Sequence, residues 1–175
     1  MAQRADIIDL ARFVRSPGEG RRVEADVNPG ELVYGEQTYT IAGGAAASRV
    51  DISRTSTGYS LRLRFGAGIR GSCVRCLGDA EMRVEVDARE VDQAGGSEQE
   101  GLRSPYVDGD ELDVAAWAHD ALALAMPGQF LCRSDCRGLC PVCGASLNDA
   151  EAAEHRHESE AGAGPMAKLR EIRFD

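Results

Sequence analysis

Apolar and polar residues alternate with a period of two over much of the first half of the chain. The apolar members of this pattern are Val50, Ile52, Tyr59, Leu61, Leu63, Phe65, Met82, Val84 and Val86. Because successive side chains of a strand point to opposite faces, the pattern predicts half-buried antiparallel strands arranged as a meander. We expect this sheet to span about 22–91 and to begin with a strand near 22–27.

A helical period replaces the alternation further along the chain. Small and apolar residues recur at helical spacing over about 112–126, and Trp117 is the one large side chain among them. Asp110 or Asp113 suits the N-cap, and Pro127 ends the segment. We predict one long helix that packs on the apolar face of the sheet, which makes the fold α+β.

The remaining segments have weaker patterns. Within an N-terminal arm of residues 1–18, residues 6–14 have helical spacing, which predicts a short docking helix or a frayed arm. Residues 92–104 are rich in Gly, Ser, Glu and Gln and predict a mobile loop. Residues 149–175 predict a mobile tail, so that residues 1–148 form a single domain.

The negative charge of the chain is concentrated in its second half. Residues 1–90 carry 13 acids and 13 bases, whereas residues 91–175 carry 16 acids and 7 bases, and 91–120 alone holds 8 acids and 1 base. Binding to a nucleic-acid backbone needs positive charge at the contact, so a large basic face is excluded. The acidic 91–120 region instead favours a basic protein as partner.

One concentration of basic side chains is an outward-facing row on the predicted sheet, formed by Arg62, Arg64, Arg83 and Arg89. Acidic neighbours on the same strands balance this row, so we favour a solvated sheet face over a binding surface. If RNA is contacted directly, guanidinium groups suit its phosphates. The candidates are then Arg62, Arg64 and Arg83 on the sheet, with Arg133 and Arg137 between the cysteines.

The chain has no segment that predicts a membrane location. No stretch approaches the roughly 18–20 apolar residues of a membrane span, and the N-terminus lacks the apolar stretch of a signal peptide. We therefore expect a cytoplasmic protein without a membrane partner. In that compartment the six cysteines should be free thiols or metal ligands rather than disulfides.

The cysteines fall into two groups. Cys73 and Cys76 form a C-x2-C pair between two predicted strands, and the other four lie in the segment LCRSDCRGLCPVCG, residues 131–144. A C-x2-C pair on a tight turn can direct two thiolates at one metal, and zinc takes four thiolate or imidazole ligands in a tetrahedron. The spacing predicts at least one structural zinc.

Two ligand sets remain open. In the first, the pair Cys73 and Cys76 joins the pair Cys140 and Cys143, which would tie the sheet to the C-terminal segment. In the second, four cysteines of the C-terminal segment form a local chelate: Cys132, Cys136, Cys140 and Cys143. His155 and His157 raise the candidate ligands to eight, enough for one or two zinc ions.

The common enzymatic uses of such residues fit poorly. A thioredoxin-like C-x2-C lies at a helix N-terminus, whereas Cys73 and Cys76 join two predicted strands. A zinc deaminase needs H-x-E before P-C-x-x-C, whereas Pro141 lies between the cysteines. The glycines match no nucleotide-binding fingerprint. We therefore predict a protein that is not an enzyme and has no small-molecule substrate, with a thiol redox protein as an alternative.

Four features together resemble the YceD family of large ribosomal RNA subunit accumulation proteins. They are CVRCL (73–77), the acidic VDGDELD (107–113), Pro127 after the helix, and CRGLCPVCGASLN (136–148). The resemblance covers roughly residues 45–148. Some relatives carry C-x-C after the LN motif, near the place of His155 and His157 here, and others lack most of these cysteines. The resemblance therefore implies that any zinc is structural.

The resemblance also implies a non-enzymatic factor for accumulation or processing of large-subunit ribosomal RNA. Its partner would be a large-subunit precursor. Because the chain is acidic, we expect docking through a basic ribosomal protein rather than through RNA. A direct RNA-binding zinc protein, contacting large-subunit ribosomal RNA, is the alternative.

Overall fold

The structure of the chain is a computed structural model that describes residues 6–95 and 102–149 together with His155 and His157. These residues form nine strands and one helix, in the order β1 (Ile7–Asp9), β2 (Gly20–Val27), β3 (Leu32–Tyr34), β4 (Gln37–Ile41), β5 (Ala46–Arg54), β6 (Gly58–Ser72), β7 (Asp79–Gln93), β8 (Val107–Asp108), β9 (Glu111–Asp113) and α1 (Val114–Ala125). The strands pair antiparallel, so the predicted α+β class is confirmed.

The large sheet is built around the hairpin of β6 and β7. These strands pair without a break, from Gly58 opposite Gln93 to Ser72 opposite Asp79. β6 has 15 residues and β5 only nine, so β6 extends beyond β5, and β4 pairs with the remainder. β2 and β3 complete the sheet beside β5 and β4. A meander is correct for β5, β6 and β7 but wrong for β4, which neighbours β6.

One face of this sheet carries the hydrophobic core. Along β6, Leu61 and Leu63 are 2% and 0% exposed, whereas Arg62 and Arg64 lie on the opposite face. This is the division expected from the period of two, because a single buried face is enough to select alternate residues. The hairpin therefore presents its charged side chains outward and its aliphatic side chains to the helix layer.

The N-terminal arm is a strand rather than a helix. Ile7–Asp9 pairs antiparallel with β9, and β8 completes a second, three-stranded sheet. Ile8, Leu10 and Val14 are buried in the core. The predicted helix over 6–14 is wrong because a helix of nine residues is marginal by itself, and pairing with β9 satisfies the same backbone groups.

The helix is shorter than the sequence pattern indicates. α1 has 12 residues, so the expectation of one long helix is wrong. It begins later because Leu112 belongs to β9, and it ends before Met126, whose extended backbone suits a residue that precedes Pro127. No helix in the described part of the chain is long and apolar enough to cross a membrane.

Two features that the sequence predicts for α1, an aspartate N-cap and an anchoring tryptophan, are present in the structure. The Asp113 carboxylate accepts a hydrogen bond from the Ala116 N–H at 2.8 Å and caps the helix. Trp117 is 2% exposed and anchors the helix to the core of the sheet. His119 is half-buried, with Nδ1 2.7 Å from the Pro29 carbonyl oxygen. The helix packs against β7 and, less extensively, against β1 and β2.

The two ends of the segment predicted as a mobile loop are packed. Asp92 is buried at the end of β7, and its carboxylate accepts a hydrogen bond from the Ser104 N–H at 3.2 Å. Arg103 forms an ion pair with the same carboxylate at 3.2 Å. The middle of the segment, residues 96–101, lies outside the described residues.

Tyr59 provides a test of the packing between the two sheets. Its hydroxyl donates a hydrogen bond to Asp110, and burial followed by this bond raises the pKa of Tyr59 to about 12. The folded chain therefore stabilises the neutral phenol, and this stabilisation is complete below the unfolded pKa of about 10. It is lost as the pH rises through the folded pKa of about 12.

We expect Tyr59→Phe to lower the free energy of unfolding by about 1 kcal/mol at neutral pH, which is the usual net value of one hydrogen bond. The difference should vanish near about pH 11, because the unfolded wild-type chain is then ionised. Urea unfolding at several pH values measures both. A difference that stays constant with pH would contradict the role assigned to the neutral phenol.

Candidate metal centres

The eight candidate ligands lie in two separate groups of four. The four-cysteine cluster contains Cys73, Cys76, Cys132 and Cys136, and the cysteine–histidine cluster contains Cys140, Cys143, His155 and His157. Within each group the ligand atoms all lie within 4.8 Å of one another, so each group could hold a metal ion. All six cysteines are free thiols.

The four-cysteine cluster joins the tip of the β6–β7 hairpin to the segment that follows α1. Cys73 Sγ lies 3.7 Å from Cys136 Sγ, and Cys76 Sγ lies 3.6 Å from Cys132 Sγ. Cys73 and Cys136 are buried, whereas the other two thiols are partly exposed. Two of the four candidate ligands, Cys73 and Cys136, therefore anchor the cluster in the core.

The hairpin tip has the backbone of a metal-binding turn. The Cys73 N–H donates to the Gly78 carbonyl at 2.8 Å, and the Leu77 N–H donates to the Cys73 carbonyl at 2.9 Å. Leu77 has φ +60, a left-handed conformation uncommon for a residue with a side chain. This turn directs both thiols of the C-x2-C pair to one side, which the sequence spacing predicts.

Two contacts clamp the second half of the cluster to the hairpin tip. The Val74 N–H donates to the Phe130 carbonyl at 2.9 Å, and the Arg75 guanidinium donates to the Cys136 carbonyl at 3.0 Å. Gly138 lies against the tip with φ +78, and a Cβ there would approach the Arg75 carbonyl oxygen to 3.1 Å. The role of Arg75 is not predictable from the sequence, because no spacing rule connects it to Cys136.

The thiols of this cluster differ in their acidity. Burial opposes ionisation of Cys73, but N–H donors from Cys76, Cys132 and Arg75 outweigh it and lower its pKa to about 6. Burial and the neighbouring thiols raise the pKa of Cys132 to about 12. Backbone donors therefore favour a thiolate at one ligand, while crowding opposes a second negative charge unless a cation is present.

The cysteine–histidine cluster lies nearer the surface. Cys140 Sγ is 3.2 Å from His157 Nε2, and Cys143 Sγ is 3.3 Å from His155 Nε2. The N–H groups of Cys143 and Val142 lower the pKa of Cys140 to about 6, although burial opposes this. Cys143 and His157 are exposed, so this group is open to solvent on one side.

Asn148 holds the segment that carries Cys136. Its side-chain N–H donates to Cys136 Sγ at 3.4 Å, and its side-chain oxygen accepts from the Arg137 N–H at 2.8 Å. The Arg133 guanidinium donates to the same oxygen at 3.1 Å. In the sequence Asn148 is only the last residue of the motif 136–148, and its separation of 12 residues from Cys136 does not predict their contact.

The structure pairs the cysteines differently from both ligand sets considered above. Cys73 and Cys76 meet Cys132 and Cys136, not Cys140 and Cys143, and Cys140 and Cys143 meet the two histidines. Neither quartet is brought together as a group, although all eight candidate ligands lie in one cluster or the other. The hairpin tip lies against residues 130–136 because Phe130 packs into the core just before Cys132.

His155 and His157 also fall within the segment predicted as a mobile tail. The other residues of that segment beyond Asp149 lie outside the described residues.

The arginines considered for RNA contact are largely engaged in ion pairs. Arg62 binds Asp87, Arg64 binds Asp51 and Arg83 binds Glu85, at 2.5, 2.6 and 2.7 Å respectively; Arg133 lies 3.3 Å from Asp135. The guanidiniums of Arg22 and Arg64 hold the pKa of Asp51 below its ordinary value. Arg137 is exposed near Asn148. The outer sheet face is therefore a mixed-charge surface.

The acids of the 91–120 region do not form one patch. Asp92 is buried, Asp110 accepts from Tyr59, and Asp113 caps α1. Asp120 accepts a hydrogen bond from the Tyr106 hydroxyl at 2.8 Å. Asp108, Asp110, Glu111 and Asp113 remain exposed on the β8–β9 hairpin, whereas Asp92 is not available for docking.

The chain has recognisable relatives. The family model described as "Large ribosomal RNA subunit accumulation protein YceD" matches residues 61–173. An uncharacterized protein of Mycobacterium tuberculosis is 30% identical over 155 residues, which cover 86% of this chain and 74% of that protein. No solved structure matches the chain significantly.

Two further relatives match shorter regions. The protein named "Large ribosomal RNA subunit accumulation protein YCED homolog 1, chloroplastic" of Arabidopsis thaliana is 36% identical over 61 residues, 35% of this chain and 19% of that protein. An uncharacterized protein of Mycobacterium leprae is 34% identical over 80 residues, 43% of this chain and 36% of that protein.

Proposed function

Because the chain belongs to the YceD family, we propose that it is a non-enzymatic factor that supports accumulation of large-subunit ribosomal RNA. The single observation that carries this proposal is the family match over residues 61–173, which contains every candidate metal ligand. We propose the cytoplasm as its location and a large-subunit precursor as its target.

We further propose that both clusters bind zinc. A Zn–S bond of about 2.3 Å places two thiolates of a tetrahedral site about 3.8 Å apart. The sulfur–sulfur distances of 3.6 and 3.7 Å in the four-cysteine cluster agree with this separation. Thiolate and imidazole are also the ligand types that zinc prefers, and no carboxylate among the described residues belongs to either group.

The zinc ions in this proposal are structural. Each cluster offers four protein ligands, which fills a tetrahedron and leaves no open position for a substrate or a reactive water. The four-cysteine cluster would fasten the tip of the β6–β7 hairpin to the segment after α1. The cysteine–histidine cluster would extend the folded unit beyond residue 148 to His157.

Docking through a basic protein, rather than through RNA, fits the charge distribution best. The net charge is −9, and most arginines of the outer sheet face are already paired with carboxylates. Phosphate binding would have to compete with those ion pairs, whereas a basic polypeptide would add favourable contacts.

Depletion of the protein in its own host tests this function. We expect large subunits to fall relative to small subunits, with precursors of large-subunit ribosomal RNA accumulating, as measured by sucrose gradients and RNA blots. Re-expression of the wild-type chain should restore the ratio. An unchanged subunit profile in fully depleted cells would refute the proposal, and a matched loss of both subunits would point to a general growth defect instead.

A further inference from the structure

A groove of about 540 Å³ runs between β7 and the C-terminal half of α1. One wall is the strand segment 85–90, and the other wall is formed by helix residues from Trp117 to Ala125, with Tyr106 at one end. Six residues of strand correspond to about 20 Å. The groove is therefore long enough to accommodate an extended peptide of about six residues.

The strand wall of this groove is a free sheet edge. Among the described residues, β7 pairs with β6 and with no other strand. The Gln93 N–H donates away from β6, to the Leu102 carbonyl, whereas the Ala94 N–H donates to Thr57 in line with β6. Because backbone groups alternate along a strand without bulges, the odd-numbered residues of β7 direct their N–H and C=O groups to the free edge.

The helix wall offers apolar contact. Leu124 is 90% exposed and faces the groove, and Ala121 lies one turn before it. At the end of the groove, Tyr106 stacks on the buried Trp117 with ring centroids 6.3 Å apart. A strand added to β7 would place every second side chain against this wall, so it would cover Leu124.

The groove is also acidic. Its lining includes Glu85, Asp87, Glu90 and Asp120 but only one base, Arg89. The first two carboxylates lie on the outer sheet face and are each paired with an arginine. The other two flank Tyr106, whose hydroxyl donates to Asp120 at 2.8 Å; burial raises the pKa of Glu90. A basic side chain placed between Glu90 and Asp120 would therefore gain the most electrostatic stabilisation.

We propose that this groove binds an extended basic segment of a partner protein, which adds as a strand to the free edge of β7. The main chain of the segment would bond to the odd-numbered residues Glu85, Asp87 and Arg89. Its apolar side chains would cover Leu124, and its lysines or arginines would face Glu90 and Asp120. The proposal rests on the proposed function, for which it identifies the docking surface.

Binding of a designed probe tests the groove directly. The probe is a fluorescent octapeptide in which threonine alternates with valine and lysine in turn (TVTKTVTK), so that its valine and lysine side chains lie on the same face of the strand. It is titrated into the full zinc-loaded chain and followed by fluorescence anisotropy. Three comparison ligands have matched lengths: the same peptide with glutamate in place of lysine, the lysine peptide N-methylated at alternate residues, and an oligouridine. We expect binding of the first peptide alone, because N-methylation removes the ladder donors and the other two carry negative charge.

Amide hydrogen exchange shows whether the peptide pairs with β7. At saturation, exchange should slow about tenfold or more at Glu85, Asp87 and Arg89. Exchange at Val86 and Ala88 should not change, because their N–H groups already face β6. The amides of β2, at the opposite edge of the sheet, serve as a second control. Protection at β2 instead of β7 would overturn the proposal.

Variants of the groove provide the matched controls. We expect Leu124→Ser, and the pair Glu90→Gln with Asp120→Asn, each to weaken binding about tenfold, since about 1.4 kcal/mol is lost. Val33→Ser and Glu36→Gln change an exposed valine and an exposed glutamate elsewhere and should bind as wild type. Equal affinity of the wild-type and groove variants would overturn the proposal, as would displacement of the peptide by oligouridine.

The groove and the proposed function can fail independently. If depletion lowers large subunits but the peptide does not bind and Leu124→Ser restores the ratio fully, the groove proposal is overturned and the function stands. If depletion changes nothing while the peptide protects the β7 amides, the function is overturned and the groove remains a peptide site.

Discussion

Cys73→Ser is expected to remove one of two zinc ions and leave the other in place. The four-cysteine cluster loses a buried ligand, whereas the cysteine–histidine cluster shares no ligand atom with it. Native mass spectrometry of the zinc-loaded chain should therefore show two ions for the wild type and one for this variant. Val74→Ser changes the exposed neighbour of Cys73 and should keep both ions.

Cys143→Ser is expected to give the complementary result. It should lose the ion of the cysteine–histidine cluster and retain the other, and the double variant should bind none. The pairing used by the structure is contradicted if the wild type binds one ion and each single variant binds none. That result would indicate one site built from the two C-x2-C pairs, Cys73 with Cys76 and Cys140 with Cys143.

The two single variants should also differ in stability. The free energy of binding a structural zinc is free energy of folding, about 10–16 kcal/mol in zinc-finger peptides. We expect Cys73→Ser to lower the free energy of unfolding by about 3 kcal/mol or more. Cys143→Ser should cost less, because Cys143 and His157 are exposed and the cysteine–histidine cluster fastens no core strand. Urea unfolding in the presence of zinc compares them.

Trp117→Ala is expected to cost about 3–5 kcal/mol of unfolding free energy. Trp117 is 2% exposed and is the largest side chain that α1 buries against the sheet. Its loss leaves a cavity that neighbouring side chains cannot fill, and it also removes the stacking partner of Tyr106. Urea unfolding followed by circular dichroism measures the change without relying on the single tryptophan as a probe.

Leu124→Ala is the matched control on the same helix. Leu124 is 90% exposed, so removing its side chain should change the unfolding free energy by less than about 0.5 kcal/mol. Similar losses for the two variants would contradict the orientation of α1. A small loss for Trp117→Ala alone would mean that the helix contributes little to the core.

The sequence predicted the features that depend on near neighbours. The alternation from Tyr59 to Phe65 identified the buried face of β6, and Asp113 was among the two expected helix caps. The C-x2-C spacing correctly indicated a turn with two convergent thiols at Cys73 and Cys76. Each of these is decided within a few residues, because side-chain period, capping and tight turns are local properties of the backbone.

The sequence could not predict contacts between distant segments. Residues 6–14 have helical spacing but pair with β9 as a strand, since tertiary pairing outweighs a weak local preference. β4 neighbours β6 because β6 extends beyond β5, a consequence of strand lengths that no local pattern encodes. Likewise, the sequence does not show which charged side chains of the outer face form ion pairs, because this depends on how neighbouring strands are aligned.

The metal ligands show the same division most clearly. By itself the sequence determined which eight residues could bind metal, because thiol and imidazole chemistry and short spacings are properties of the chain. Only the tertiary structure decided that the hairpin tip meets Cys132 and Cys136 while Cys140 and Cys143 meet the histidines. The reason is geometric. Burial of Phe130 in the core brings the segment after α1 to the hairpin tip, so Cys132 and Cys136 lie beside the C-x2-C pair of the tip. The remaining candidate ligands, two cysteines and two histidines, then lie beside one another.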